Sequence, residues 1–287
     1  MRFTKMQGAG NDYIYINGFN EDVTETTIEG IPIGEVSRRA SDRHFGIGGD
    51  GIILILPSKV ADFRMRMFNC LDGTEGEMCG NAIRCVARYV YTHGLTEKKD
   101  LAVETLAGII RPTIVEKDGK VYGARVDMGL PRYKGRDVPT TAVGPDEPAI
   151  AFTLEVDGQP WVGTGVSMGN PHAVFFVDNV EKVDVAAIGP KLERHPAFPR
   201  RANIEFIQVV SPNELIMRVW ERGSGITLAC GTGASASIVA AVLNNKSARR
   251  ATVHLLGGDL ELEWGADEHV YMTGPAVEVF SGEYPLR

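Results

Sequence analysis

The stretch EMCGNAIRCVARYV, residues 77–90, places a cysteine and a glycine directly before a helical pattern of apolar residues. LACGTGASASIVAAVL, residues 228–243, repeats this arrangement about half a chain later. The residues at helical spacing are Ile83, Val86, Ala87 and Val90 in the first stretch, and Ala234, Ile238, Ala241 and Val242 in the second. We therefore predict a helix after each Cys-Gly pair. The second helix has small or apolar residues on nearly every side, which is typical of a buried helix.

Most of the remaining chain has the pattern of β-strands. GIILIL, residues 51–56, is a short apolar run, and FRMRMF, residues 63–68, alternates and predicts a strand with one solvent-exposed face. Asp-Gly pairs at 118–119 and 157–158 predict hairpins, because both central residues of a type I′ turn need a positive φ. HLLGGDLELEW, residues 254–264, predicts a third hairpin.

A weak internal repeat divides the chain into two halves. GAGNDY (8–13), GGDGIILIL (48–56) and Cys79-Gly80 recur in the same order as MGNPHAVF (168–175), ANIEFIQVV (202–210) and Cys230-Gly231. This order predicts two similar domains that face each other, with a site between them. The Pro- and Gly-rich segment 130–149 is the predicted linker.

Composition excludes several classes of protein. The net charge of −7 argues against a nucleic-acid partner, and no apolar run approaches the roughly 20 residues of a membrane span. The first residues carry no signal-peptide core, so we expect a cytoplasmic protein. The four cysteines, Cys70, Cys79, Cys85 and Cys230, are expected to be thiols, and their spacing predicts no metal site.

The paired cysteines suggest a chemistry that a single one would not. A helix N-terminus favours the thiolate, so we expect the pKa of both thiols to fall, and the glycine that follows allows a carboxylate to approach the backbone. Two thiols on opposite sides of one carbon could remove a proton from one face and deliver one to the other, as in a two-base racemase or epimerase. Cys70 and Cys85 are interpreted as structural thiols. Taken singly, Asn11 and Asn170 are typical of turns, His172 of a strand end, and Glu221-Arg222 of a hairpin tip.

Five longer motifs carry a resemblance to a known family. They are KMQGAGNDY (5–13), DGTEGEMCGNAIRC (72–85), VSMGNPHAV (166–174), RANIEF (201–206) and ERGSGITLACGTGA (221–234). Together they closely resemble the cofactor-independent diaminopimelate epimerase family, over nearly the whole chain. The resemblance implies interconversion of LL- and meso-2,6-diaminopimelate for lysine and peptidoglycan precursors, without pyridoxal phosphate, by a homodimer.

The resemblance also implies the fold and the division of the chain. We expect an α+β fold of two pseudo-symmetric domains, each an antiparallel β-barrel-like sheet around a central helix, with the active site in the cleft between them. The expected domains are residues 1–129 with 275–287, around Cys79, and residues 130–274, around Cys230. The last strand is expected to return to the first domain.

The family's site residues transfer to matching positions of this chain. Cys79 and Cys230 match the catalytic thiols, with His172 expected beside Cys79 and Glu221 beside Cys230. The reacting carboxylate is expected on the N–H groups of Gly80-Asn81 and Gly231-Thr232. The expected contacts to the distal end of the substrate are Asn69, Asn170, Asn203 and Arg222, and Asn11 and Glu221 match further substrate contacts. The chain departs from the pattern at Gly51, where some members have glutamine, and by one extra residue between Asn69 and Cys79.

Three other functions stay open at this point. The same scaffold could racemise another amino acid, such as histidine or proline. A cysteine hydrolase or transferase could use Cys79 and His172, although it would leave Cys230 without a role. The third is a binding protein without catalytic activity.

Overall fold

The computed structural model describes residues 1–286, which form two compact units. The first unit comprises residues 1–126 and 273–286, and the second comprises Asp127–Met272. The domains predicted from sequence, 1–129 with 275–287 and 130–274, stay a prediction, and residue 287 lies outside the described residues. None of the helices within residues 1–286 combines the length and the apolar composition that a membrane crossing requires.

The first unit is built on one large sheet and the predicted helix after Cys79. Its elements are β1 (Arg2–Gly8), β2 (Asn11–Asn17), β3 (Thr27–Ile28), β4 (Ile31–Pro32), α1 (Ile33–Ser41), β5 (Gly51–Leu56), β6 (Phe63–Asn69), β7 (Glu75–Gly76), α2 (Gly80–Thr92), β8 (Val103–Thr105), β9 (Gly108–Ile110), β10 (Pro112–Lys117) and β11 (Lys120–Asp127). The order in its sheet begins with the last strand of the chain and continues β1-β2-β5-β6-β8-β9. α2 packs against β1, β2 and β10, so it lies inside the unit.

The second unit repeats this construction. Its elements are β12 (Phe152–Val156), β13 (Gln159–Ser167), β14 (Pro171–Phe176), a 3₁₀ turn (Val180–Lys182), α3 (Val185–Glu193), β15 (Asn203–Ser211), β16 (Glu214–Glu221), β17 (Gly225–Ile226), α4 (Gly231–Leu243), β18 (Arg250–Leu255), β19 (Gly258–Trp264) and β20 (Val270–Pro275). Within its sheet, consecutive neighbours are β20-β19-β18-β16-β15-β14-β13-β12. α4 packs against β13, β14, β15, β18 and β19, which confirms the prediction of a helix buried by sheet.

The repeat predicted from sequence is present in the strand pairing. β1-β2-β5-β6-β8-β9 pair in turn as antiparallel, parallel, antiparallel, parallel and antiparallel neighbours. β13-β14-β15-β16-β18-β19 show the same series. A helix lies in the connection of each parallel pair, as a parallel crossover requires. The predicted α+β fold with two similar halves is confirmed, and its sheets are mixed because of these crossovers.

The last strand, β21 (Val277–Glu283), returns to the first unit, as predicted, and pairs antiparallel with β1. The hairpin turns at 118–119 and 157–158 are also confirmed. Asp118 and Asp157 have φ of 52° and 53°, and the glycine after each has φ of 71°, as a type I′ turn requires.

Two sequence predictions about exposure are wrong. Arg66 on β6 was expected on a solvent-exposed face but is 9% exposed, because Glu75 of the neighbouring β7 accepts two hydrogen bonds of 2.7 Å from its guanidinium. The predicted linker, residues 130–149, is a packed part of the second unit. Its Val138 and Ala149 are buried, so the apolar residues within this Pro- and Gly-rich segment anchor it.

Candidate active site

Both predicted catalytic cysteines are the N-cap residue of a buried helix. Cys79 precedes α2 with φ −131° and ψ 121°, and Cys230 precedes α4 with φ −123° and ψ 108°. Each chain segment is therefore extended at the cysteine and helical from the following glycine. The first N–H groups of a helix have no acceptor within it, so each thiol lies beside free backbone donors. The pairs Gly80-Asn81 and Gly231-Thr232 occupy this first turn.

In the first unit, the amide of Asn11 contacts Cys79, and the amide of Asn81 contacts Asn11. The Sγ of Cys79 donates to Oδ1 of Asn11 at 3.2 Å, and Nδ2 of Asn81 lies 3.4 Å from the same oxygen. Asn11 begins β2, and Asn81 is the second residue of α2. The structure thus brings three of the predicted site residues of the first unit together.

In the second unit, a fully buried pair orients the imidazole of His172. Its Nδ1 lies 2.7 Å from Oε1 of Glu205, and both side chains are 0% exposed. Because a carboxylate only accepts, Nδ1–H is the donor, and Nε2 lies 3.1 Å from Oδ1 of Asn170. Sequence reasoning missed Glu205. Its signal was a lone carboxylate in the apolar strand sequence IEFI.

Two carboxylates, Glu221 and Glu205, act on Cys230, whereas the sequence predicted only Glu221. The Sγ of Cys230 accepts from the N–H of Gly233 at 3.3 Å and lies 3.5 Å from Oγ1 of Thr232. Burial nevertheless raises the pKa of Cys230 well above its usual value, and the carboxylates of Glu221 and Glu205 raise it further. The predicted net fall in the pKa of Cys230 is therefore wrong, because desolvation outweighs the hydrogen bond from Gly233 at the helix N-terminus, which acts to lower this pKa.

Glu221, at the end of β16, interacts with this thiol. Burial raises the pKa of its carboxyl, while hydrogen bonds from Thr227 and Cys230 and the charge of His172 oppose the rise. Thr227 donates directly to Oε1 of Glu221. A carboxyl and a thiol whose pKa values are both raised can transfer a proton between them.

The residues predicted to recognise the distal end of the substrate lie close together in the second unit, apart from Asn69. Oδ1 of Asn203 accepts from the N–H of Arg222 at 2.9 Å, and Nδ2 of Asn170 donates to Thr232 at 3.3 Å. The guanidinium of Arg222 is exposed and donates to the carbonyl of Arg200 at 3.0 Å. Such a side chain is available to a ligand.

Asn69 and Gly51 are neighbours in the first unit. Asn69 ends β6, pairs in register with Gly51, and donates to Oγ1 of Thr74 at 2.9 Å. Gly51 has φ 153°, and a Cβ there would lie 2.1 Å from the carbonyl oxygen of Phe68 and 3.2 Å from the ring of Tyr13. A side chain at position 51 would therefore require the neighbouring backbone to move.

Aligning the pairings of the two units shows which groups differ between them. Ile14 pairs with Ile52 in the first unit, as Ala173 pairs with Ile204 in the second. On this alignment Asn11 corresponds to Asn170, Tyr13 to His172 and Ile53 to Glu205. One unit thus supplies a carboxylate–imidazole pair, while the other has a phenol and an apolar side chain at the same places.

The polar groups near each thiol can donate or accept protons and hydrogen bonds. They comprise backbone N–H donors, amides, an imidazole and two carboxyls. Within residues 1–286, no three histidine, cysteine or acidic side chains come together as a metal site.

Comparison with known proteins agrees with this geometry. The family described as diaminopimelate epimerase matches residues 3–134 and 164–279. Diaminopimelate epimerases from Moorella thermoacetica and Acetivibrio thermocellus are each 54% identical, over 100% of this chain and 100% and 99% of their own. A phenazine biosynthesis protein of the PhzF family from Bacillus anthracis shares the fold, with a TM-score of 0.70 at 19% identity over 100% of this chain and 99% of its own. The chain belongs to the diaminopimelate epimerase family.

Proposed function

We propose that this protein interconverts LL- and meso-2,6-diaminopimelate by a two-base mechanism, with Cys79 and Cys230 as the two bases. The observation that carries the proposal is the pair of cysteine N-caps, one in each unit, with nearly the same backbone conformation. The names of the relatives supply the substrate. The product serves lysine and peptidoglycan precursor synthesis, and the expected compartment is the cytoplasm.

The reaction needs one proton to leave the α-carbon and another to arrive on its opposite face. One cysteine, as thiolate, takes the α-proton, so that the C–H bond breaks and an S–H bond forms. The other cysteine, as thiol, delivers its proton to the opposite face, so that a new C–H bond forms. The charge that develops on the substrate carboxylate is stabilised by the N–H groups of Gly80-Asn81 and Gly231-Thr232, at the two helix N-termini.

The side chains around the thiols move and hold these protons. Glu221 accepts the proton of Cys230 when that thiol must act as the base, and burial, which raises the pKa of Glu221, makes it a stronger proton acceptor than an exposed carboxylate. His172, oriented by Glu205, is the expected partner of Cys79. Asn69, Asn170, Asn203 and Arg222 recognise the distal amino-acid end, and Asn11 and Glu221 add further substrate contacts.

The homodimer forms through the edge strand β21. Within residues 1–286, β21 is the terminal strand of its sheet, so its outer backbone groups are open to pairing with a second copy. Val279 and Phe280 on this strand are 55% and 47% exposed. An edge strand with exposed apolar side chains is a template for association with a copy of itself.

We predict that Cys79→Ala and Cys230→Ala each lower kcat with LL-diaminopimelate by at least about a hundredfold, because each face of the carbon needs its own acid or base. The assay follows formation of the meso isomer, and Cys70→Ala, a partly buried thiol without a proposed role, is the matched control. Near-parental turnover by either active-site variant would contradict the two-base mechanism. Turnover of proline or histidine, with none of diaminopimelate, would contradict the substrate.

Glu221→Gln is expected to lower kcat by roughly a hundredfold and to stabilise the fold at alkaline pH. Because burial raises the pKa of Glu221, the folded state holds this proton more tightly than the unfolded state. The stabilisation from this group is complete below the unfolded-state pKa and is lost as pH rises through the folded-state pKa. Thermal unfolding should therefore show a gain in Tm at about pH 8 that shrinks towards about pH 4. The exposed Glu97→Gln is the control, and an equal gain at both pH values would argue against an ionisable, buried Glu221.

Arg222→Lys is expected to raise KM for diaminopimelate more than it lowers kcat, although the charge is kept. A lysine ammonium cannot form two parallel hydrogen bonds to a carboxylate, and such bonds contribute roughly 1.5–3 kcal/mol each. Steady-state kinetics with the lysine variant check this. The exposed Arg201→Lys is a matched control, and a KM equal to that of the parent would exclude Arg222 from distal recognition.

Phe280→Glu is expected to convert the dimer into a monomer, because a carboxylate on the edge strand would be desolvated by the second copy. Sedimentation velocity measures the change. Leu256→Glu, an equally exposed apolar residue of the second unit, is the control. A parent protein that sediments as a monomer, or a dimeric Phe280→Glu variant, would contradict this interface.

A further inference from the structure

The amide of Asn11 can present either of two groups to the sulfur of Cys79. Its oxygen accepts a hydrogen bond from a protonated thiol, whereas its NH₂ group donates to a thiolate. The choice therefore decides which protonation state of Cys79 is stabilised. The oxygen faces the sulfur in the structure, at 3.2 Å.

Asp50 lies on the other side of this amide. It directly precedes β5, and its N–H donates to the carbonyl of Asp12 at 2.7 Å, next to Asn11 on β2. Oδ2 of Asp50 accepts from Nδ2 of Asn11 at 2.6 Å and from the N–H of Asp12 at 3.1 Å. Arg43 donates to Oδ1 at 2.9 Å. The carboxylate is thus fixed from three sides.

An ionised carboxylate only accepts hydrogen bonds, so the group of Asn11 that faces Asp50 must be its NH₂. We infer that Asp50 is a positioning residue, which locks the amide of Asn11 so that its oxygen faces Cys79 and keeps the Cys79 thiol hydrogen-bonded as a donor. The inference rests on the proposed role of Cys79 as an acid–base group.

The charge of Asp50 acts in the same direction as the locked amide. A nearby negative charge disfavours ionisation of a thiol, so both effects retain the proton on Cys79. Burial, followed by the charges of Cys79 and Asp50, raises the pKa of Tyr13, which indicates that these groups form one cluster. The buried cation of Arg84 interacts with Cys79 in the opposite sense. Arg84 and the flanking Asp12 and Arg43 are unchanged in the comparison proposed below.

The second unit does not repeat this arrangement. Its corresponding amide, Asn170, donates through Nδ2 to Thr232 and presents its oxygen to His172. Ala202 stands directly before β15, at the position that corresponds to Asp50. The carboxylate that fixes the amide orientation is therefore present in the Cys79 half of the repeat and is replaced by Ala202 in the other half. This difference makes the two thiols inequivalent before substrate binds.

The variant Asp50→Asn tests the lock, since asparagine keeps the shape but can donate as well as accept. Alkylation of each cysteine by iodoacetamide is followed against pH by peptide mapping. We expect the Cys79 profile to move to lower pH, with alkylation at neutral pH several-fold faster than in the parent, and the Cys230 profile to stay in place. We also expect kcat to fall with little change in KM.

Asp62→Asn is the matched control, because Asp62 also accepts from a cation, Lys98, and from a backbone N–H, that of Ala102. A Cys79 profile that is unchanged or moves to higher pH in Asp50→Asn, or an equal shift in Asp62→Asn, would overturn the inference. Should Asp50→Asn not fold, proton exchange of the Asn11 side-chain amide in the parent decides by NMR. Slow exchange supports the lock, and fast exchange overturns it. Alkylation and exchange require no turnover, so they separate this inference from the proposed activity.

Discussion

The backbone conformation at the two cysteines determines where their sulfur atoms lie. At Cys79 and Cys230 the chain is extended, and at the next residue it is helical, so each sulfur is held beside the first N–H groups of its helix. A glycine at the next position leaves space for a carboxylate to reach those groups. The helices can hold this position because the sheet of each unit packs against them.

The same scaffold, used twice, carries different side chains in its two copies. The second unit buries His172 and Glu205 as a hydrogen-bonded pair. Burial also raises the pKa of both Cys230 and Glu221 in this unit. Buried charges of this kind contribute little to stability, and removing one partner leaves the other uncompensated. Their presence agrees with the proposed role in proton transfer. In the first unit the thiol of Cys79 instead donates to the neutral amide of Asn11.

Local sequence patterns predicted much of the fold. The features that depend on long-range packing were predicted wrongly or missed. The helix starts at Cys79 and Cys230 and the Asp-Gly turns depend on neighbouring residues, so the sequence alone predicts them. The exposure of Arg66 and the pKa of Cys230 depend on groups distant in sequence, and both predictions were wrong. Glu205 was missed for the same reason, since its partner His172 comes from the adjacent parallel strand. The roles of the predicted site residues stay predictions until kinetics test them.

The fate of the α-proton tests the central claim most directly. The parent enzyme is incubated with LL-diaminopimelate in deuterated water, and substrate and product are isolated at early times. Two bases predict that the product carries deuterium at the inverted carbon, while recovered substrate is unlabelled there. A product that retains the original hydrogen at that carbon would show that one group removes and returns the same proton, which would contradict a mechanism with two thiols on opposite faces.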